Sequence, residues 1–204
     1  MATLTLINPP MLVLRRDPMT TGIVYMPVGM AVLAGQVRQA GHAVRCVDAF
    51  GQAPRACGIT GKFLRRGLAS ESCVAAVAPD TDAVAVYALN LLNHDATLAV
   101  VRAVRKRFPH IPLAVVENSQ AVTSYSLAES ATAFQEAGAD VLLTGENDCT
   151  LVRWLENSRD ISSGNGGVVD GGGVTFRTWE RCRFPPGICC RRNRTGVSGM
   201  PTDR

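Results

Sequence analysis

Leu4-Thr-Leu-Ile-Asn-Pro-Pro10 opens the stretch that decides the fold, and Val44-Arg-Cys-Val-Asp48 closes it. Both contain short apolar runs of strand length. Asn8, Pro9 and Pro10 end the first, because proline cannot donate to a sheet ladder. Between the runs, Met30, Leu33, Ala34 and Val37 fall at the spacing of one buried helical stripe. Pro27 suits the first turn of that helix, where its missing N–H would have no partner anyway. Gly41 stands where a helix C-cap prefers glycine. Strand, loop, helix, strand is the first half of a parallel open sheet.

The loop from Pro10 to Met26 exceeds the ~2–6 residues usual for such connections, and longer ones are often functional. In open α/β sheets ligands bind beyond the carboxyl ends of the strands. This loop leaves such an end, so it is the first expected ligand wall.

The same alternation continues along the chain. Residues 51–67 read as irregular surface. Ser70 to Ala78 reads as a short helix with Ser70 as its N-cap. Ala83 to Leu89 is a third strand, almost wholly apolar, as strands buried on both faces are. Leu98, Val101, Val104 and Phe108 stripe the next helix, with Arg102, Arg105 and Lys106 on its solvent side. Leu113 to Val116 is a fourth strand. Ser126 with Glu129 makes a capping box for the following helix, whose stripe is Leu127, Ala131 and Phe134 and whose end is Gly138. Val141 to Leu143 is the fifth strand, and Leu151, Trp154 and Leu155 mark a last helix. The fold class expected is α/β: a doubly wound, mostly parallel five-stranded sheet of Rossmann type, with flavodoxin-like order 2-1-3-4-5. Residues 1–157 form this domain. Residues 158–178 are a linker with a small hairpin from Val168 to Phe176, and 179–204 an irregular tail.

Composition narrows the function. The chain has 204 residues, 47% of them hydrophobic and only 5% aromatic. Few aromatics leave little for stacking bases. The net charge of +4 comes largely from the tail, so the rest is nearly neutral and carries no nucleic-acid signal. No apolar run approaches the ~20 residues of a membrane span. Seven scattered cysteines suit free thiols in a reducing cytoplasm. Cys46, Cys73 and Cys149 are expected to be small buried residues.

The polar residues worth weighing follow the strands. Asn90, Asn93 and His94 lie beyond the third; His94 reads as a surface or capping histidine, and His42, at the opposite end of the sheet, as structural. Glu117, Asn118, Ser119 and Gln120 leave the fourth strand at its ligand-facing end, where a plain turn would favour glycine or proline. Gly145 and Glu146 follow the fifth. No Gly-rich phosphate loop follows the first strand. Cys182, Cys189 and Cys190 lack zinc and iron–sulfur spacing.

Taken in order, Leu6-Ile-Asn-Pro-Pro10, Tyr25-Met-Pro-Val-Gly29, Leu33-Ala34, Gly41-His42, Asp48, Asn118-Ser-Gln-Ala121 and Gly145-Glu146 resemble the cobalamin-binding domain at the front of radical S-adenosylmethionine enzymes. The resemblance covers roughly residues 3–156. It implies cobalamin as cofactor, cobalt bound base-off without a protein histidine, and a separate radical domain as partner. It implies cofactor contacts from Asn8, Pro9, Pro10, Tyr25, Pro27, Leu89, Asn90, Asn118, Ser119, Gln120, Gly145 and Glu146, with no catalytic or metal-ligating residue. The family's Cys-x-x-x-Cys-x-x-Cys motif is missing, so the chain alone is not expected to perform radical chemistry. Residues 182–190, back-translated with permitted codons one frame over, can give Leu-Pro-Leu-Pro-Ala-Trp-Asp-Leu-Leu-Pro, similar to that family's linker; a frameshifted, truncated tail is the expectation. Two other readings stand beside it: a flavodoxin-like binding or signalling module for another ligand, and a non-functional fragment. A receiver domain would need an acidic cluster at the end of the first strand, where Asn8-Pro9-Pro10 stands.

Overall fold

The computed structural model describes residues 1–24, 26–118, 126–145, 147–158 and 167–170. The chain begins with β1 (Thr3–Asn8), β2 (Met11–Leu14), α1 (Pro18–Thr21), α2 (Val28–Gln39) and β3 (Ala43–Asp48). Next come α3 (Ala49–Gln52), β4 (Cys57–Thr60), β5 (Phe63–Arg66), α4 (Ser70–Ala75) and β6 (Ala83–Ala88). After a 3₁₀ turn at Leu91–Asn93 follow α5 (His94–Arg107), β7 (Leu113–Glu117), α6 (Ala131–Glu136), β8 (Val141–Thr144), α7 (Asp148–Asn157) and β9 (Gly167–Asp170).

The main sheet has the order β3-β1-β6-β7-β8-β9, and every pair in it is parallel. Its first five strands carry the flavodoxin-like order expected, with helices on both faces. Alternation along each strand explains the two layers. Leu4, Leu6, Ala85, Tyr87, Val116 and Leu143 pack against α2 and α7 residues such as Met30, Leu33, Val37 and Trp154. Ile7, Val84, Val86, Val115 and Leu142 pack on the opposite face, with Val101, Val104 and Phe134 from α5 and α6. The stripe Met30, Leu33, Ala34 and Val37 is the buried set of α2.

Gly41 ends α2 as expected, at φ 86. Its N–H donates to Arg38 O at 3.0 Å, and His42 N–H to Val37 O at 3.2 Å. These two bonds are a Schellman cap, which needs the left-handed residue that glycine supplies. His42 is structural, its Nδ1 accepting from Ala2 N–H at 3.2 Å.

Several sequence expectations need correction. Residues 51–67 are not irregular, and the Pro10–Met26 segment is not all loop. β2, β5 and β4 form a second, antiparallel three-stranded sheet in that order. Gly167–Asp170 is a sixth parallel strand beside β8 rather than one arm of an isolated hairpin. The proposed second arm, and the tail with its frameshift reading, lie outside the described residues. Cys46 is exposed because β3 is an edge strand, whereas Cys73 is buried, and burial pushes its thiol up to about 11. Ser70 is the first helical residue of α4 and makes no side-chain cap.

Arg105 does not merely face water. Its guanidinium donates to Gly138 O at 2.9 Å, Pro109 O at 2.7 Å and Ile111 O at 3.0 Å, and pairs with Asp140 Oδ2 at 2.8 Å. It thereby holds together the turns that enter β7 and β8. Among the described residues, no helix is long and apolar enough to cross a membrane.

Candidate functional site

The carboxyl ends of β1, β6, β7 and β8 gather the amide side chains that the sequence singled out. Asn8 ends β1 almost fully buried. Its Nδ2 donates to Asp48 Oδ1 at 3.0 Å, tying the end of β1 to the end of β3. Pro9 and Pro10 then turn the chain out of the main sheet and into β2.

The strand order reverses between β1 and β6, where an open α/β sheet usually holds its ligand. Here asparagines tie the segment after β1 to the turn after β6. Leu12 N–H donates to Asn93 Oδ1 at 2.9 Å, and Asn93 N–H donates to Asn90 Oδ1 at 3.1 Å. Asn90 and Asn93 are both buried. Asn90 thus caps the 3₁₀ turn and Asn93 fastens β2 across the exit of β6. Leu89, also buried, accepts through its carbonyl from Asn118 Nδ2 at 3.1 Å.

Glu117 joins the next two exits. Its Oε1 accepts from Leu127 N–H at 2.9 Å and its Oε2 from Gly145 N–H at 2.8 Å. Its carbonyl accepts from Asn147 Nδ2 at 3.0 Å. The expected capping box does not form: no side chain within the turn caps Ala128–Ser130, and Glu117 takes the Leu127 amide from ten residues away. Gly145 turns at φ 74, a left-handed conformation that glycine adopts without strain. Two side-chain oxygens at this end, Asn8 Oδ1 and Asn147 Oδ1, are buried and meet no donor among the described residues.

α2 starts on top of this scaffold. Pro27 is its N-cap residue. A Cβ placed on Gly29 would lie 2.2 Å from Tyr87 Oη and 3.3 Å from Asn118 Oδ1. Gly29 is therefore required for the helix to seat on the tyrosine. Burial holds the Tyr87 phenol well above its usual range, so it remains a neutral hydroxyl. Gly29→Ala is expected to cost about 1–3 kcal/mol, the usual range for overpacking. Tyr87→Phe, which removes the clashing oxygen, should restore most of that loss in the double variant. Urea unfolding of the four proteins checks it, and strictly additive effects would sink the contact.

The other residues sort as follows. Asn8, Leu89, Asn90, Asn118 and Gly145 come together at one end of the sheet, with Pro9, Pro10 and Pro27 on the chain segments around them. Tyr25, Ser119, Gln120 and Glu146 lie outside the described residues. His94 is the first residue of α5 and meets the Phe134 ring edge-on at 5.3 Å between centroids. Asn93, Glu117, Tyr87 and Asn147 matter more here than the sequence indicated. Sidedness was the missing signal: Tyr87 reads as one more apolar strand residue, and Glu117 as one more loop polar. Among the described residues, no group of three or more His, Cys, Asp or Glu side chains is placed to hold a metal.

No family model matches the chain, and no curated protein does. Solved structures that resemble it are response regulators. One is a receiver protein from Pseudoalteromonas atlantica, at 12% identity and TM-score 0.47, covering 79% of this chain and 99% of that one. Another is a response regulator from Burkholderia pseudomallei, with a phosphorylated aspartic acid, calcium ion and citrate. It shows 16% identity and TM-score 0.43, over 79% of this chain and 71% of that one. A third acts in red light signalling of R. palustris, at 13% identity and TM-score 0.40, over 81% and 97%. Likeness at this level extends to the fold alone.

The cobalamin-binding resemblance is corrected by these findings. The similar structures are response regulators rather than cobalamin domains, and cobalamin, cobalt and a radical-enzyme relationship are dropped with it. The physical reason lies in what the shared motifs do here. Asn8 braces Asp48, Gly29 clears Tyr87, Gly41 caps α2, Asn118 holds Leu89 and Gly145 turns the chain. In this chain each of these residues has a structural task, so their presence does not by itself mark a corrinoid site.

Proposed function

We propose that the chain is a flavodoxin-like binding module of the signalling kind, which recognises a ligand with an apolar body at the carboxyl edge of its main sheet. One observation carries this. Between β2 and the first residue of α2, apolar side chains stand in water: Met19 is 87% exposed, Met26 79%, Val28 57%, Ile23 52% and Val24 48%. Leu91, just beyond β6, is 64% exposed. Scattered exposed apolar residues are ordinary, but a run of them along one segment marks a recognition surface. Methionine adds adaptability to such a surface.

The floor beneath supports the same reading. Its amides and Glu117 are spent on fixing backbone, which supplies rigid support to a binding face. Asn8-Pro9-Pro10 stands at the exit of β1, where a receiver domain would need an acidic cluster, so binding is favoured over phosphoryl transfer.

A fragment library titrated into the labelled full chain tests the proposal. Chemical-shift changes are expected at Ile23 to Gly29, Leu91 and Asn118. Val24→Glu combined with Met26→Glu should weaken the best fragment by about tenfold or more, with the thermal midpoint little changed because both side chains are exposed. Shifts confined to other surfaces, or unaltered affinity, would reject the assignment.

A further inference from the structure

We propose that the free edge of β4 is a docking site for an extended acidic segment of a partner protein, which adds to the small sheet as a fourth strand. In the order β2-β5-β4, both outer strands have an unpaired side. The two sides are treated differently. On β2, the outward Leu12 N–H donates to Asn93 Oδ1 at 2.9 Å and the outward Leu14 N–H to Thr21 Oγ1 at 2.9 Å. That edge is sealed by side chains.

On β4 the hairpin fixes which groups point outward. Thr60 pairs with Phe63 across the turn at Gly61 and Lys62, and Gly58 pairs with Arg65. In an antiparallel ladder hydrogen-bonded and non-bonded pairs alternate, so the N–H and C=O groups of Cys57 and Ile59 face away from β5. No described residue takes them. Ile59 is 67% exposed, and Cys57 is exposed too. An open edge of this kind is a template for another strand.

Charge selects the occupant. Between Asp48 and Glu71 the sequence holds Arg55, Lys62, Arg65 and Arg66 and no acid. Arg15 and Arg16, both exposed, are brought beside the hairpin by the bond from Arg15 N–H to Lys62 O at 3.1 Å. Asp17, the adjacent carboxylate, is bonded to Thr20 of α1. Among the described residues none of these six cations is in an ion pair. Lys62 and Arg66 instead lie over the rings of Phe63 and Phe50, at 5.3 and 5.1 Å. A second copy pairing through β4 would bring like charges together, whereas an acidic strand would neutralise them. Ile59 and Leu64 share one face of the sheet, so alternate apolar residues of the partner would continue that face.

The experiment titrates the full chain with a labelled synthetic peptide of alternating Val and Glu, with a Val and Lys peptide as counterpart. The acidic peptide should bind saturably, about tenfold or more tighter than the basic one, and more weakly as salt rises. It should also slow amide exchange at Cys57 and Ile59. Ile59→Pro removes one outward donor while sparing the bonds of Gly58 and Thr60 to β5, and should weaken binding by about tenfold or more. Arg55→Glu with Lys62→Glu, both at exposed positions, should reverse the peptide preference even if the proline variant misfolds. Failure of the acidic peptide to bind, or binding with unchanged exchange at Cys57 and Ile59, would overturn strand addition. So would tighter binding of an oligothymidine strand, or a dimer of this chain that Ile59→Pro dissolves.

Discussion

Phe134→Ala is expected to lower the free energy of unfolding by about 3–5 kcal/mol, the range for removing a buried aromatic ring. The ring is fully buried in the layer formed by Val101, Val104, Leu127 and Leu142. It also meets His94 edge-on, with the ring planes at 76°. α6 is only six residues long, too short to persist on its own hydrogen bonds. Phe134 is its single fully buried side chain, so the helix stays docked through this contact. At about 2–4 °C per kcal/mol for a chain of this size, the thermal midpoint should fall by roughly 6–20 °C. Phe134→Leu should retain much of the packing and lose far less. A loss below about 1 kcal/mol for the alanine variant would show that α6 is not anchored by the ring.

Glu117→Leu is expected to cost about 2–6 kcal/mol, because two partly buried backbone amides lose their acceptor at about 1–3 kcal/mol each. Leu127 N–H and Gly145 N–H would both be left without the carboxylate. The loops after β7 and β8 would then loosen together, and with them the carboxyl edge of the sheet. Glu117→Gln keeps one carbonyl acceptor and should lose roughly half as much. Hydrogen exchange separates this from a general loss of stability: protection should fall first at Leu127 and Gly145. Unchanged protection at those amides in a folded variant would refute the clamp.

Much of this architecture was legible from periodicity. The five central strands, the α2 stripe and the Gly41 cap depend on local spacing, and local spacing is what a linear sequence displays. The small sheet was hidden for a reason. Its strands have four residues each, and β5 reads Phe-Leu-Arg-Arg, with no clean alternation. Two signals were there: the apolar run Met11 to Leu14 after Pro10, and a hairpin turn at Gly61 between Thr60 and Phe63. Each needs the other to register, because β2 pairs with a strand about fifty residues later.

The candidate site was legible in location and not in role. That polar residues cluster at strand exits follows from topology, which fold class dictates. Which of them bind backbone is a matter of distances no spacing encodes. Asn93 closes on Leu12 across 81 positions, and Asn118 on Leu89 across 29. The same limit explains the cobalamin resemblance, since motifs needed to build the sheet look alike whatever the sheet carries. The sequence by itself determined that this chain is a doubly wound α/β protein with its polar residues at the carboxyl strand ends, because apolar spacing decides which faces are buried. Tertiary structure alone decided that the asparagines and Glu117 are braces, that Asn93 ties β2 to the exit of β6, and that among the described residues the outer edge of β4 is unpaired. Each depends on side chains and backbone from distant positions meeting within hydrogen-bonding distance, or failing to.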